Sequence, residues 1–514
     1  MTSLVDASEA LALDGSVERS WSLGPGLLME SAAVRLSIGI EPLVARGAGG
    51  RVRKIVAVAG GGNNGGDALA LLRHLAFSRT GDVAALVPSR ELKALAAGHA
   101  ASLAAGGIPL WRWNSTEGRR ALAEADIVID GVVGTGLSGP LSGEAAAMVA
   151  AINGRAEMSD GAAQVVSIDL PSGFRSGCGV DDVRVDADFT LSIEPRKLCL
   201  YAPALRPSAG EIVAIDGVFP KMDSGDSRAA LLDASDIAAL RLHPQPWIHK
   251  GGRGRVAIFA GSPGMTGALL LAARAAQAAG AGLVTLFVRG ELFEALKAAG
   301  PETIGGAIVR PEASALGDLG PQDAILAGPG WGRDDTRTAL LSFLLATRIP
   351  LVLDADALRT LPNATRIERD APLILTPHPG EFEALSGRPT GSVLASPHEA
   401  LADVASAYRA IVALKTATTW IMAPDGRLRV VDGREAGLAV AGSGDVLAGL
   451  MAGLLAAALA GGNRANAEKE ALRAASLAAL VHVEAGRALR SRGGWFEASG
   501  LVRPAAALLG RLPA

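Results

Sequence analysis

Asp130, Asp169 and Asp354 each close a short run of aliphatic residues, and Asp445 follows a glycine turn. A carboxylate at a strand end can give and take protons once partial desolvation raises its pKa. Asp130, Asp169 and Asp445 each have glycine-rich sequence nearby. In the first half the string is Gly60-Gly61-Gly62-Asn63-Asn64-Gly65-Gly66-Asp67. Gly60, Gly62 and Gly65 satisfy the G-x-G-x-x-G spacing that brings backbone N–H groups up to a phosphate at a helix start. A dehydrogenase of this pattern also needs an acid ending the second strand. That strand ends Val87-Pro88-Ser89-Arg90, with Glu91 one residue further, so hydride transfer is disfavoured. A turn that serves packing alone is the competing reading.

The two Asn side chains offer carbonyl oxygens beside Asp67, a donor type suited to a hard cation. Asp130 leads into a second glycine loop, Gly134-Thr135-Gly136-Leu137-Ser138-Gly139-Pro140, and Asp169 opens Asp169-Leu170-Pro171-Ser172-Gly173. In open parallel sheets ligands bind outside the carboxyl ends of the strands. Two glycine loops and two acids are therefore expected to share one cleft. A turn cap is the alternative role for either acid.

The second half repeats the logic with other motifs. Ala268 lies at the start of an Ala-rich helix, Gly330 in Gly328-Pro329-Gly330-Trp331-Gly332-Arg333, and His378 between two prolines. Ala441-Gly442-Ser443-Gly444-Asp445 joins a glycine turn to a long apolar helix. Bare amides at a helix start attract anions, and an aspartate in the same turn can deprotonate an attacking hydroxyl. That combination suits phosphoryl transfer. His378 is expected to face the same sheet edge as Asp354 and Asp445. His74, His99, His243, His398 and His482 lack such context and are read as structural.

The elements that must position these residues alternate. Strand candidates are 53–59, 83–87, 126–133 and 164–170, then 255–260, 283–288, 324–327, 351–353, 373–375 and 411–414. Helical patterns fall between them, and the chain after Asp445 is helix-rich. The expected fold is α/β: a Rossmann-like doubly wound sheet, then a second α/β domain. The polar stretch Lys221–Arg228 reads as a linker, giving domains 1–222 and 229–514.

At 514 residues the chain should hold about two to four domains, and 49% hydrophobic and 20% charged residues suit a well-buried globular protein. A net charge of −3 leaves no basic excess for a nucleic-acid backbone or an anionic membrane. The long uncharged stretches 256–273 and 446–463 read as buried core. Cys178 and Cys199 have no metal-type spacing and read as reduced thiols. The first residues, MTSLVDASEALALDG, lack the basic region of a signal peptide.

LLME, GGGNNGGD, DGVVGTGLSGPLSG and SIDLPSG, in that order over roughly residues 25–220, resemble the YjeF N-terminal family of NAD(P)H-hydrate epimerases. HKG, GMTGALLLAARAA, GPGWGRD, LVLDADAL, LTPHPGEF and GSGDVLAG, over roughly 229–512, resemble the YjeF C-terminal family of ADP-dependent NAD(P)H-hydrate dehydratases, of ribokinase-like fold. The first resemblance implies that Asn63, Asn64, Gly65, Gly66, Asp67 and Gly134, Thr135, Gly136, Leu137, Ser138, Gly139, Pro140 contact the hydrated nucleotide. It implies that Asn64, Asp130 and Ser172 hold potassium and that Asp169 is the acid–base group. The second implies that Ala268, Gly330, His378 and Asp445 contact the hydrate, with Asp445 catalytic. Lys415, Thr416, Ala417, Thr418, Thr419 and Gly444 would hold the adenine nucleotide, accompanied by magnesium.

The implied reactions are epimerisation of the R and S hydrates and ADP-dependent dehydration of the S form, leaving AMP and phosphate. A cytoplasmic homo-oligomer is implied, with hydrated NADH or NADPH and ADP as its ligands and neither nucleic acid nor membrane as partner. Two departures stand out. Thr416 and Thr418 replace glycines that relatives carry after the lysine, and a Cβ there is expected to crowd a phosphate. Asp432-Gly433-Arg434-Glu435-Ala436-Gly437 replaces an Asn-Pro-Gly type loop. A ribokinase-type small-molecule kinase fused to a nucleotide-binding module, and a binding protein reusing these folds, are the alternatives.

Overall fold

The computed structural model describes residues 1–45, 52–157, 163–220, 228–299, 301–316, 318–332, 334–361, 367–460 and 466–510. The expected linker falls outside these apart from Arg228, and so does Arg333. The chain forms two compact units. One contains Thr2–Asp226 with Leu394–Ser396; the other contains Met1, Ser227–Val393 and Pro397–Ala514.

The N-terminal unit contains β1 (Thr2–Val5), β2 (Lys54–Ala59), β3 (Asp82–Val87), β4 (Leu110–Arg112), β5 (Ile127–Gly131), β6 (Gln164–Ile168), β7 (Phe189–Ile193), β8 (Arg196–Lys197) and β9 (Glu211–Ile215). Seven of these build one sheet in the order β4-β3-β2-β5-β6-β7-β9, with every pairing parallel. Alternation along β2 shows why both faces are covered. Ile55, Ala57 and Ala59 join a core with helices Pro25–Ala45, Asn63–Phe77 and Ala94–Ala105. Val56 and Val58 point the other way, into a core with helices Thr116–Glu124 and Gly143–Glu157. A strand buried on both faces reads as an unbroken apolar run, as β2 does. Chain order reverses between β2 and β5, which opens a crevice beyond their carboxyl ends.

The C-terminal unit contains β10 (Ala229–Leu232), β11 (Arg255–Phe259), β12 (Leu283–Val288), β13 (Ile308–Pro311), β14 (Ala324–Ala327), β15 (Leu351–Leu353), β16 (Leu373–Leu375), β17 (Ile411–Leu414), β18 (Thr418–Met422) and β19 (Leu428–Asp432). Their order is β13-β12-β11-β14-β15-β16-β17-β18-β19-β10. Pairing is parallel except where β18 runs antiparallel between β17 and β19. Here the order reverses between β11 and β14. Helix Ser443–Leu459 lies across the sheet and packs on helix Thr266–Ala278.

Glycine sets how close those two helices come. A Cβ on Gly449 would stand 2.3 Å from the Ala272 carbonyl oxygen, and one on Gly453 would stand 2.4 Å from that of Ala276. Both numbers rise together along the two helices, so they run parallel. The same register extended one turn back places Asp445 level with Ala268.

Candidate active sites of the two units

In the N-terminal unit β2 runs into Gly60, where a Cβ would collide with the Val132 carbonyl oxygen at 1.9 Å. Gly65 is equally constrained, 1.9 Å from the Gly60 oxygen. These contacts seat the start of helix Asn63–Phe77 directly against the loop after β5. Its N-cap, Gly62, has no side chain to occupy the first amides, which leaves them open to an anion.

A cavity of about 710 Å³ lies at this crevice. Asn63, Asn64, Asp67, Gly134, Thr135, Gly136 and Asp169 all line it. Gly65 and Gly66 are buried beneath, and Leu137, Ser138, Gly139 and Pro140 are not among the lining residues. Leu28 and Met29 of the LLME string contribute apolar wall.

Asp130 is fully buried. Its carboxylate accepts from Ser172 Oγ at 2.6 Å, Ser172 N at 2.9 Å, Ser167 Oγ at 2.8 Å and Val132 N at 3.2 Å. Burial raises its pKa against the pull of these bonds. Every donor is neutral. Ser172 Oγ also accepts from Val133 N at 2.9 Å. Asn64 packs its amide against Gly134, and its Nδ2 is buried with no partner. Asn64, Asp130 and Ser172 thus gather around the segment 130–134. A buried carboxylate with only neutral donors has no counter-charge of its own, the one feature here that suits a cation; the unpartnered Asn64 atom is the donor Nδ2, which cannot ligate one.

Asp169 stands just past β6 with φ of +65°, a left-handed conformation that Asp tolerates better than most residues. Its Oδ1 accepts from Lys197 Nζ at 2.5 Å and from Ile193 N at 3.2 Å. No motif in the sequence marks Lys197. It lies on the two-residue β8, far along the chain from Asp169, and only the parallel pairing of β6 with β7 brings the two together.

In the C-terminal unit Gly330 meets Ala268: a Cβ on Gly330 would lie 3.0 Å from the Ala268 methyl. Asp354, at the end of β15, accepts from Thr376 Oγ1 at 2.7 Å and from Lys415 Nζ at 2.5 Å. A Cβ on Gly444 would stand 3.6 Å from that same Nζ. Asp445, one residue on, has its pKa pushed up to about 6, first by burial and then by the Asp354 charge, with Lys415 pulling the other way. Asp354, Lys415, Gly444 and Asp445 form one cluster at the open N-terminus of helix Ser443–Leu459, where Gly442 leaves the first amides uncapped.

Three readings of the sequence need revision or detail. His482 is not without context. Its Nε2 lies 3.0 Å from both Oγ and O of Ser443, and burial lowers its pKa to about 4, so the neutral ring braces the GSGD turn. A side chain arriving from helix Ala467–Arg490 leaves no local signal for this. His378 is the N-cap of helix Pro379–Ser386: its Nδ1 accepts from Gly380 N and Glu381 N at 3.1 and 3.3 Å. Only Nε2 is left for other work, and Glu381 Oε1 lies 3.2 Å from it.

The Thr416–Thr418 departure closes on itself. The Thr416 hydroxyl bonds Thr418, whose own Oγ1 accepts from the buried Trp420 indole at 3.3 Å. Thr418 is fully buried, so its side chain is covered by protein. In the other departing loop, Gly433 N and Arg434 N bond the Ala417 carbonyl at 2.9 and 3.0 Å.

Residues 26–199 match the model of the YjeF-related protein N-terminus, and residues 256–499 match that of NAD(P)H-hydrate dehydratase. The bifunctional NAD(P)H-hydrate repair enzyme Nnr of Moorella thermoacetica is 34% identical over 95% of this chain and 93% of its own length. That of Mycobacterium leprae is 36% identical over 88% and 89%. Among solved structures, the ADP/ATP-dependent NAD(P)H-hydrate dehydratase of Bacillus subtilis covers 54% of this chain and 95% of its own, with 24% identity and a TM-score of 0.47. Matching relatives along nearly its whole length, this chain belongs to the family of bifunctional NAD(P)H-hydrate repair enzymes.

Proposed function

We propose that the two units act in sequence on damaged nicotinamide nucleotides. The N-terminal cavity interconverts the R and S hydrates of NADH and NADPH. The C-terminal cluster removes water from the S form at the expense of ADP. The observation that carries this is that the family's two activities come with two carboxylate–lysine pairs in one polypeptide, Asp169 with Lys197 and Asp354 with Lys415.

In the C-terminal unit Asp445 takes the proton of the ring hydroxyl as its oxygen attacks the terminal phosphorus of ADP. The P–O bond to AMP breaks, and its electrons leave with AMP. The phosphate ester then departs with its C–O electron pair while the neighbouring carbon loses a proton, restoring the reduced ring. The Lys415 ammonium and the bare amides beside Gly444 offset charge that builds on the phosphoryl oxygens. Magnesium, bound with the nucleotide phosphates, supplies further neutralisation. In the N-terminal unit Asp169 manages the proton of the ring hydroxyl, and Asn64, Asp130 and Ser172 would hold potassium, which would balance the buried Asp130 charge.

Among the described residues no helix is long and apolar enough to cross a membrane. A cytoplasmic homo-oligomer is the setting we assign, consistent with two free thiols. The test is to mix the protein with ADP and the pure R hydrate of NADH. Recovery of reduced-nicotinamide absorbance, with AMP and phosphate in equal amount, is expected; phosphate transfer with no absorbance gain would mark a kinase instead.

A further inference from the structure

Lys197 is buried, its side chain 5% exposed, yet it lines the N-terminal cavity beside Asp169. An ammonium has three N–H bonds to place. One points to Asp169 Oδ1 and one to the Ile193 carbonyl at 2.9 Å. The third has no acceptor among the described residues. Asp169 is the complementary case. Its Oδ1 takes two donors, from Lys197 and Ile193 N, and its Oδ2 takes none among the described residues. A lysine present only to neutralise a buried carboxylate would leave no idle donor facing a cavity. This ion pair offers one idle donor and one idle acceptor to the same space.

We propose that Lys197 is a second catalytic residue of the epimerase site, the acid that works with Asp169 as base. This rests on the function assigned above. Asp169 Oδ2 takes the proton of the ring hydroxyl, and the O–H electrons become the second C–O bond. The bond from that carbon to the ring nitrogen breaks, its electron pair goes to nitrogen, and nitrogen takes the idle proton of Lys197. The product is an open-chain aldehyde with an N–H group. Rotation about the C–C bond next to the carbonyl presents the other face. Reclosure reverses each transfer: nitrogen attacks the carbonyl carbon, its proton returns to Lys197, and Asp169 returns the first proton to oxygen. No oxidant and no water enters.

The full-length chain is assayed for conversion of the R to the S hydrate by wild type, K197R and K197A, with melting curves for each. Arginine keeps the positive charge but holds its protons too tightly to act as an acid. K197R is expected to melt like wild type and to lose about 10²–10⁴-fold in kcat with KM within about threefold, the range of a general acid. K197A is expected to regain rate when methylammonium is added. A K197R enzyme as fast as wild type, or a folded K197A enzyme that methylammonium leaves unchanged, overturns the assignment. Wild-type protein that fails to interconvert the hydrates would instead refute the epimerase reading itself.

Discussion

Lys415 Nζ and Asp354 Oδ1 lie 2.5 Å apart, and this ion pair leaves Asp445 beside it as the carboxylate with no counter-ion of its own. Burial and the Asp354 charge together hold Asp445 near a pKa of about 6. A base must be deprotonated, so kcat/KM for ADP-dependent dehydration should rise with pH and level off above about 6. Asp445→Asn should lose about 10²–10⁴-fold and show no such limb. A pH–rate profile decides the matter; a wild-type rate already flat at pH 5 would count against Asp445 as the base.

Asp445 and His482 titrate with opposite effects on stability. The Asp445 pKa is raised from 3.8 to about 6, so its contribution is full below 3.8 and fades as pH climbs through 6. The His482 pKa is lowered from 6.5 to about 4, so its contribution is full above 6.5 and fades as pH falls through 4. In the wild type the two slopes oppose each other. Asp445→Asn should therefore melt increasingly early as pH drops from 6 to 4, and His482→Gln increasingly early as pH rises over that span. Each swing should be on the order of 1–3 kcal/mol. Parallel melting curves for the three proteins would disprove this.

Gly449 cannot carry a side chain without moving helix Ser443–Leu459 away from Ala272. Gly449→Val should cost about 2–4 kcal/mol in chemical denaturation. It should also slow dehydration, because Asp445 would no longer sit level with Ala268. Epimerisation should survive, which separates this effect from global unfolding. An unchanged midpoint would show that the helices are less closely docked.

Much of this arrangement was legible in the sequence, and the exceptions share a cause. Strands 283–288, 324–327, 351–353, 373–375 and 411–414 lie where their apolar runs begin and end, because both faces of those strands are buried. β1, β4, β8, β10 and β13 are short and poorly patterned and are not among the strand candidates; nor are β7 and β9, nor the antiparallel β18 and its neighbour β19. The glycine turns were visible since backbone contacts such as Gly60 on Val132 admit nothing larger. Lys197 and His482 were invisible because each acts on a residue distant in the chain through tertiary packing. His378 drew attention as a candidate ligand for the same local features that make it a helix cap.

Potassium should matter to the N-terminal unit through Asp130. Replacing potassium by choline should lower the melting temperature of the wild type and slow epimerisation. Asp130→Asn should be insensitive to that exchange and less stable by about 2–4 kcal/mol, since an amide cannot accept all four bonds. Equal melting in both salts for the wild type would argue against a bound cation.

The backbone at Asp169, with φ of +65°, narrows what this position can become. Asparagine fits that twist with the same outline, so Asp169→Asn adds no main-chain strain, although it leaves the buried Lys197 ammonium without its counter-ion. Alanine or glutamate would add main-chain strain of about 1 kcal/mol or more to whatever function is lost. Drift at this site is thus channelled: the backbone admits asparagine or glycine more readily than other residues, and a lineage that takes that exit must also change Lys197, whose buried charge would lose its partner.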